Sequence, residues 1–171
     1  MYYIAEINIG RIRAPYDNPI MAGYVNRRRE IDALARRSPG FIWRRTGPGS
    51  NAKETDLYED QTIIANVSVW ATIENYANFV YKTGHQEVIN RGHEWFVPLD
   101  GPNYAMWWVP QGHLPSAEEA RERLEYLRTS GETPYAFTFE RLFPSPDERI
   151  SSTSEAHKQE PSSITDHCIK S

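Results

Sequence analysis

The chain has 171 residues, 19 of them Lys or Arg and 23 Asp or Glu, for a net charge of −4. This length suits one domain that buries a sizeable core without metal or disulfide staples, and a 12% aromatic content supplies large side chains to fill it. The charge balance excludes the electrostatic footprint of a polyanion binder, and no apolar run approaches the roughly 18–20 residues that span a bilayer.

The basic clusters Arg27-Arg28-Arg29 and Arg36-Arg37 point in several directions around a helix axis and read as a solvated face, so no nucleic-acid partner is expected. The lone cysteine, Cys168, allows neither an internal disulfide nor a thiolate metal cluster. The first residues lack a basic-then-apolar leader. A cytoplasmic protein with no membrane partner is the expectation.

In chain order, residues 2–9 have the β-branched content of a strand, broken by Ala14-Pro15 and Asn18-Pro19. Asn18-Pro19 reads as the cap and first residue of a helix whose apolar stripe runs through Ile20, Met21, Tyr24, Val25, Ile31, Leu34 and Ala35, stopping at Ser38-Pro39-Gly40. Residues 41–46 read as a second strand, 47–59 as a polar loop and 62–70 as a third strand. Thr72 is the N-cap of a second helix with Ile73, Tyr76, Ala77, Val80, Gly84 and Val88 on its buried side and Gly84 as a point of kinking or early termination. A fourth strand covers 104–109. Ser116 and Glu119 have the spacing of a capping box that opens a third helix, and 135–142 supply a last strand. From residue 144 the chain is Ser, Pro, Glu and Asp with isolated isoleucines, too apolar-poor to order itself, so 1–143 reads as the domain and 144–171 as a disordered tail.

The order β-α-β-β-α-β followed by α-β is that of a ferredoxin-like α+β sandwich with an added helix and strand. Apolar residues at both parities of the third and fourth strands imply two buried sheet faces, the second expected to be covered by a second copy in a homodimer.

Polar groups gather in one region. Asn66 and Ser68 share parity with Trp70 on the third strand, and Tyr81 and His85 border the buried face of the following helix. His85, with an ordinary pKa near 6.5, is the expected acid–base group, with Tyr81 and Asn66 beside it as catalytic partners. Asn8, Ser68, Trp70, Trp108 and His113 are the expected substrate-binding residues. Glu6 shares parity with Asn8 and reads equally as a base or as one half of an ion pair. Bland readings stand beside these: a core aromatic for Trp70, backbone satisfaction for Asn8 and Asn66, a structural imidazole for His85. No phosphate-binding Gly loop, His-Glu-x-x-His motif or nucleophile elbow occurs, and no metal site is expected.

The segments Ala5-Glu-Ile-Asn-Ile-Gly-Arg11, Ser38-Pro-Gly-Phe41, Asn66-Val-Ser-Val-Trp70, Phe79-Val-Tyr81 with His85, Trp107-Trp-Val-Pro with Gly112-His113, and Ala136-Phe-Thr-Phe139 resemble the DUF3291 family across nearly all of residues 2–143. The resemblance implies a dimeric α/β barrel, in a superfamily that includes cofactor-independent antibiotic-biosynthesis monooxygenases, haem-degrading monooxygenases, polyketide cyclases and chlorite dismutases. Asn8, Trp70 and His85 echo the Asn, Trp and haem-ligating His of the haem-degrading members, with a longer spacing from the Trp to the His. The expected function is therefore a cofactor-independent monooxygenase acting on an aromatic or polyketide-type small molecule in secondary metabolism. The alternatives are a cyclase or isomerase working by proton transfer, and a non-catalytic binder of haem or a hydrophobic metabolite.

Overall fold

The computed structural model describes residues 1–45 and 57–156. Five strands and five α-helices follow one another as β1 (Tyr2–Ile12), α1 (Ala22–Arg37), β2 (Phe41–Arg44), β3 (Ile63–Trp70), α2 (Ile73–Lys82), α3 (His85–Asn90), β4 (Phe96–Val97), β5 (Tyr104–Pro110), α4 (Ala117–Ser130) and α5 (Pro146–Ala156). The strands form one antiparallel sheet in the order β2-β3-β1, with β5 and the two-residue β4 both pairing with β1. The class is α+β.

The register fixes which side chains share a face. Opposite β1, Ile4, Glu6 and Asn8 meet Trp70, Ser68 and Asn66 of β3 on one side and Trp108, Met106 and Tyr104 of β5 on the other. Because side chains alternate along a strand, all nine lie on the same face, and Ala5, Ile7 and Ile9 lie on the other with Ala65, Val67, Val69, Ala105, Trp107 and Val109. The centre of this second face is apolar, as expected, but it is covered from within the chain: Ala120, Leu124 and Leu127 of α4 complete its core. The apolar surface that motivated a homodimer is therefore buried by the third helix of the sequence reading.

The helix-facing side is divided. Ile4, Trp70, Met106 and Phe137 pack with Ala35 of α1 and with Tyr76, Phe79 and Val80 of α2 in one cluster. Ile12, Met21, Tyr24, Ile64 and Trp95 form another. Between them runs the row containing Glu6, Asn8, Asn66 and Ser68, polar side chains in the middle of a sheet.

Several elements differ from expectation for identifiable reasons. Asn18 does cap, accepting from the Ile20 N–H at 3.0 Å, but the turn it starts is a 3-10 turn over Pro19–Met21, and α1 begins after it. The second helix ends at Lys82; Thr83 turns its hydroxyl onto the Phe79 carbonyl and its backbone becomes extended, so His85 opens a separate helix, α3. The expected last strand reduces to isolated bridges of Phe137 with Met106 and of Ala136 with Thr133, because the Phe139 and Thr138 N–H groups are taken by the Tyr104 hydroxyl and the Glu132 carboxylate instead of a ladder. The start of the expected tail is helical: Ser145 and Glu148 cap α5 reciprocally, and Asp147 pairs with the Met1 ammonium at 2.9 Å. Residue 46 of the expected second strand, 47–56 of the expected loop and 157–171 of the tail, with Cys168, lie outside the described residues.

Leu124 is fully buried between α4 and the apolar sheet face. Leu124→Ala is expected to cost about 2–5 kcal/mol in urea denaturation; a loss below about 1 kcal/mol means that α4 is not an integral layer.

Candidate functional site

The polar row is organised around Glu6. This carboxylate is 2% exposed, at the centre of β1 where strands on both sides exclude water. Its Oε1 accepts from the Ser68 hydroxyl at 2.5 Å, and its Oε2 accepts from the Asn8 amide at 3.0 Å and the Tyr76 phenol at 3.1 Å. Ser68 in turn accepts from the Trp70 indole N–H at 2.9 Å. Asn8 accepts through Oδ1 from the Asn66 amide at 3.2 Å, and Asn66 accepts from the Arg44 guanidinium, which also pairs with Asp32 of α1.

The direction of these bonds is set by chemistry. Indole and guanidinium nitrogens can only donate. With Trp70 feeding Ser68, the serine hydroxyl is free to donate onward; with Arg44 feeding Asn66, each amide is oriented to accept behind and donate ahead. Both chains converge on Glu6 as acceptor. Opposing them is burial, which pushes the Glu6 carboxyl above its ordinary pKa despite the bonds from Ser68, Asn8 and Tyr76 and the charge of Arg44. The Tyr76 phenol, buried and facing the carboxylate, is held well above the ordinary tyrosine range and stays protonated as a donor.

A second phenol faces the same row. Tyr104 lies opposite Asn8 in the register, half-buried, and its oxygen accepts from the Phe139 N–H at 3.1 Å. Its own proton has no acceptor among the described residues. Phe139 stacks on Tyr76 with ring centroids 5.5 Å apart and meets Tyr81 edge-on at 5.4 Å, so an aromatic group links the solvent-exposed Tyr81 to the ring beside Glu6.

Of the residues expected at a site, Asn8, Asn66, Ser68 and Trp70 are brought into one network. Trp70 is also a core aromatic, packed on Phe41 at 5.4 Å and Phe79 at 4.9 Å. His85 and Tyr81 border the network without bonding to it. The His85 ring packs on Phe79 at 4.9 Å, and burial, with Arg44 adding repulsion, pushes its pKa down to about 4 although the Val80 carbonyl favours the charged form. At neutral pH it is an uncharged imidazole and a weak base. Trp108 stands apart, its indole N–H donating to the Phe143 carbonyl at 2.9 Å. His113 belongs to the opposite side of the sheet: its Nε2 meets Glu119 of α4 at 2.7 Å, and the same carboxylate accepts from Trp107 at 3.0 Å. Glu119 thus turns toward Trp107 and His113 while Ser116 alone caps its N–H.

Glu6 was legible only through its parity with Asn8. Tyr76 looked like one more member of an apolar stripe, Arg44 like an ordinary strand residue and Tyr104 like a strand start, so three members of the arrangement carried no motif.

Asn8 is bonded to Glu6 and Asn66 and the Trp70 N–H to Ser68, while His85 packs its ring on Phe79 and keeps a buried Nδ1 with no hydrogen-bond partner among the described residues. No group of three or more His, Cys, Asp or Glu able to hold a metal ion occurs among the described residues. Nor is any helix among them long and apolar enough to cross a membrane.

The two buried titrating groups act on stability with opposite sign. Glu6 binds its proton more tightly folded than unfolded, so its contribution is full below the ordinary value of 4.5 and is lost as pH rises through the raised folded value. His85 binds its proton less tightly folded, so its contribution is full above 6.5 and is lost as pH falls toward about 4. Denaturant titrations at a series of pH values should show wild type losing stability relative to Glu6→Gln as pH rises above 4.5. Against His85→Phe, wild type should lose on the order of 2–3 kcal/mol as pH falls through the window from 6.5 to about 4. Flat differences would contradict both assignments.

Comparison with known proteins adds family and little else. The family model described as "Domain of unknown function (DUF3291)" matches residues 3–153. A solved structure of a protein of unknown function from Nitrosomonas europaea is similar with a TM-score of 0.46 at 9% identity, over 68% of this chain and 97% of that one. No curated protein matches the sequence.

Proposed function

The chain belongs to the DUF3291 family, and within it we propose an enzyme that moves a proton on an aromatic or polyketide-type small molecule, with Glu6 as the base. The strand order β2-β3-β1-β5 supports a ferredoxin-like sandwich as its framework, and the dimeric α/β barrel stays part of the proposal. One observation carries the chemical reading: two donor-only groups, Trp70 and Arg44, polarise both hydrogen-bond chains toward a single buried carboxylate, while the Tyr104 hydroxyl keeps an uncommitted proton on the same sheet face.

A raised carboxyl pKa brings a base toward the neutral range, where it is both ionised and able to take a proton from an activated carbon acid or phenol. The negative charge then moves onto the substrate oxygen. A phenol whose oxygen already accepts a backbone N–H is a strengthened donor, so Tyr104 is suited to hold that oxyanion, with Tyr76 and the Asn8–Asn66 pair keeping the released charge near Glu6 small. Water is excluded by the flanking apolar clusters, which strengthens each of these interactions. Tyr81 and Phe139 form the aromatic approach, and His85 acts as a neutral wall.

The monooxygenase-type reaction and the cyclase or isomerase reaction share this first step. They part afterwards, when the carbanion either reacts with O₂ or is reprotonated. Deuterium incorporation next to the carbonyl of β-tetralone or anthrone, followed by NMR, is expected to be accelerated by wild type, reduced at least about 10²-fold in Glu6→Gln and about 10-fold in Tyr104→Phe. Oxygen consumption with anthrone marks the monooxygenase branch, and exchange without it the isomerase branch. Exchange unaffected by Glu6→Gln would overturn the assignment of the base.

A further inference from the structure

A base takes a proton only from an atom that comes within hydrogen-bond reach of it, and the Glu6 carboxylate is 2% exposed. A neighbour therefore has to give way before a substrate meets it. Most neighbours are held by more than packing. Ser68, Asn8 and Tyr76 are hydrogen-bonded to Glu6 itself. Trp70 is bonded to Ser68 and packed on Phe41 and Phe79. Met106, opposite Glu6 on β5, is fully buried and exchanges both backbone hydrogen bonds with Phe137.

The Phe139 ring is held differently. It lies nearly flat on Tyr76, 5.5 Å between centroids and 22° between planes, and meets Tyr81 at 5.4 Å and Tyr104 at 6.0 Å. Its backbone is fixed: the Phe139 N–H donates to the Tyr104 hydroxyl, and the flanking Thr138 and Glu140 N–H groups donate to Glu132 and to the Thr138 hydroxyl. Turning the side chain about its own bonds thus breaks ring contacts and no hydrogen bond. The ring also stands at the right end of the row. Glu6 and Ser68 are buried, whereas Asn8 and Asn66, one pair further along, are half-buried, as are Tyr104 opposite Asn8 and Phe139 itself. Tyr81, on which Phe139 also rests, is exposed to solvent.

On the reading of Glu6 as the base, we infer that the Phe139 ring is the gate and size filter of the site: it turns off Tyr76, the flat ring of the substrate takes its place there beside Glu6, and the room so made limits the size of substrate accepted. The exchange of one ring for another selects planar aromatic substrates, because an aromatic ring restores the stacking that Tyr76 loses. Tyr104 keeps its orientation throughout, since the Phe139 backbone holds it and the ring does not.

Deuterium exchange followed by NMR with β-tetralone, of two fused rings, and anthrone, of three, tests the filter. Phe139→Ala should raise the ratio of kcat/KM for anthrone to that for β-tetralone at least about 10-fold over wild type, and Phe139→Trp should lower it, with circular dichroism confirming that each variant is folded. A carbon NMR titration tests the gate without turnover. Burial raises the Glu6 carboxyl, so Phe139→Ala, which admits water, should move its midpoint down toward the ordinary value, and Phe139→Trp, which keeps the row covered, should leave it raised. A substrate ratio that neither variant changes, or a Glu6 midpoint unmoved by Phe139→Ala, would overturn the gate alone. Exchange that survives Glu6→Gln would overturn the base and the gate together.

Discussion

A carboxylate placed at the centre of a sheet, under helices and away from water, is the constraint around which the helix-facing half of this protein is arranged. Burying Glu6 without partners would cost several kcal/mol or drive it neutral. The chain meets that cost with hydrogen-bond donors from three elements: Asn8 from β1, Ser68 from β3 and Tyr76 from α2. These donors need donors of their own, and the indole of Trp70 and the guanidinium of Arg44 supply them from positions where neither can act in reverse. Remove either end and the chain behind it loses its direction, because hydroxyls and amides can turn. The row also separates two apolar clusters that would otherwise merge across the sheet.

The opposite face works by a different rule. Its centre is apolar and buried under Ala120, Leu124 and Leu127, and the Trp107 N–H is tied to Glu119. One sheet thus carries a packing face and a chemical face, separated only by the alternation of side chains along β1. A register slip of one residue would exchange them. The antiparallel pairing of β1 with β3 over eight residues is accordingly the element of the fold that most directly positions the site.

Much of this was legible in the residues, and the exceptions have physical causes. Thr72 and Ser116 cap where their spacing says they should, and β3 and β5 fall within a residue of the pattern, because capping and alternation are local signals. The last strand departs from its pattern because its residues have strand composition while its backbone donors are claimed by Tyr104 and Glu132, a tertiary fact. The helix at Pro146–Ala156 was missed because few of its residues are apolar; reciprocal capping by Ser145 and Glu148 and the pairing of Asp147 with Met1 supply what composition does not. At the site, parity placed Asn8, Asn66, Ser68 and Trp70 together, since strands make parity visible. An ordinary pKa near neutrality favours His85 over Glu6, and burial reverses that order by lowering the imidazole and raising the carboxyl.

The direct probe of the central claim is a carbon NMR titration of side-chain carboxyls in glutamate-labelled protein, with Glu6→Gln used to assign the Glu6 resonance. The account requires the Glu6 carboxyl to titrate clearly above the ordinary value of 4.5. It also requires Ser68→Ala, which takes away a donor to the ionised form, to move that midpoint further upward. A Glu6 midpoint at or below 4.5, or one that Ser68→Ala leaves in place, would show that the carboxylate is neither buried nor held as the convergent network demands.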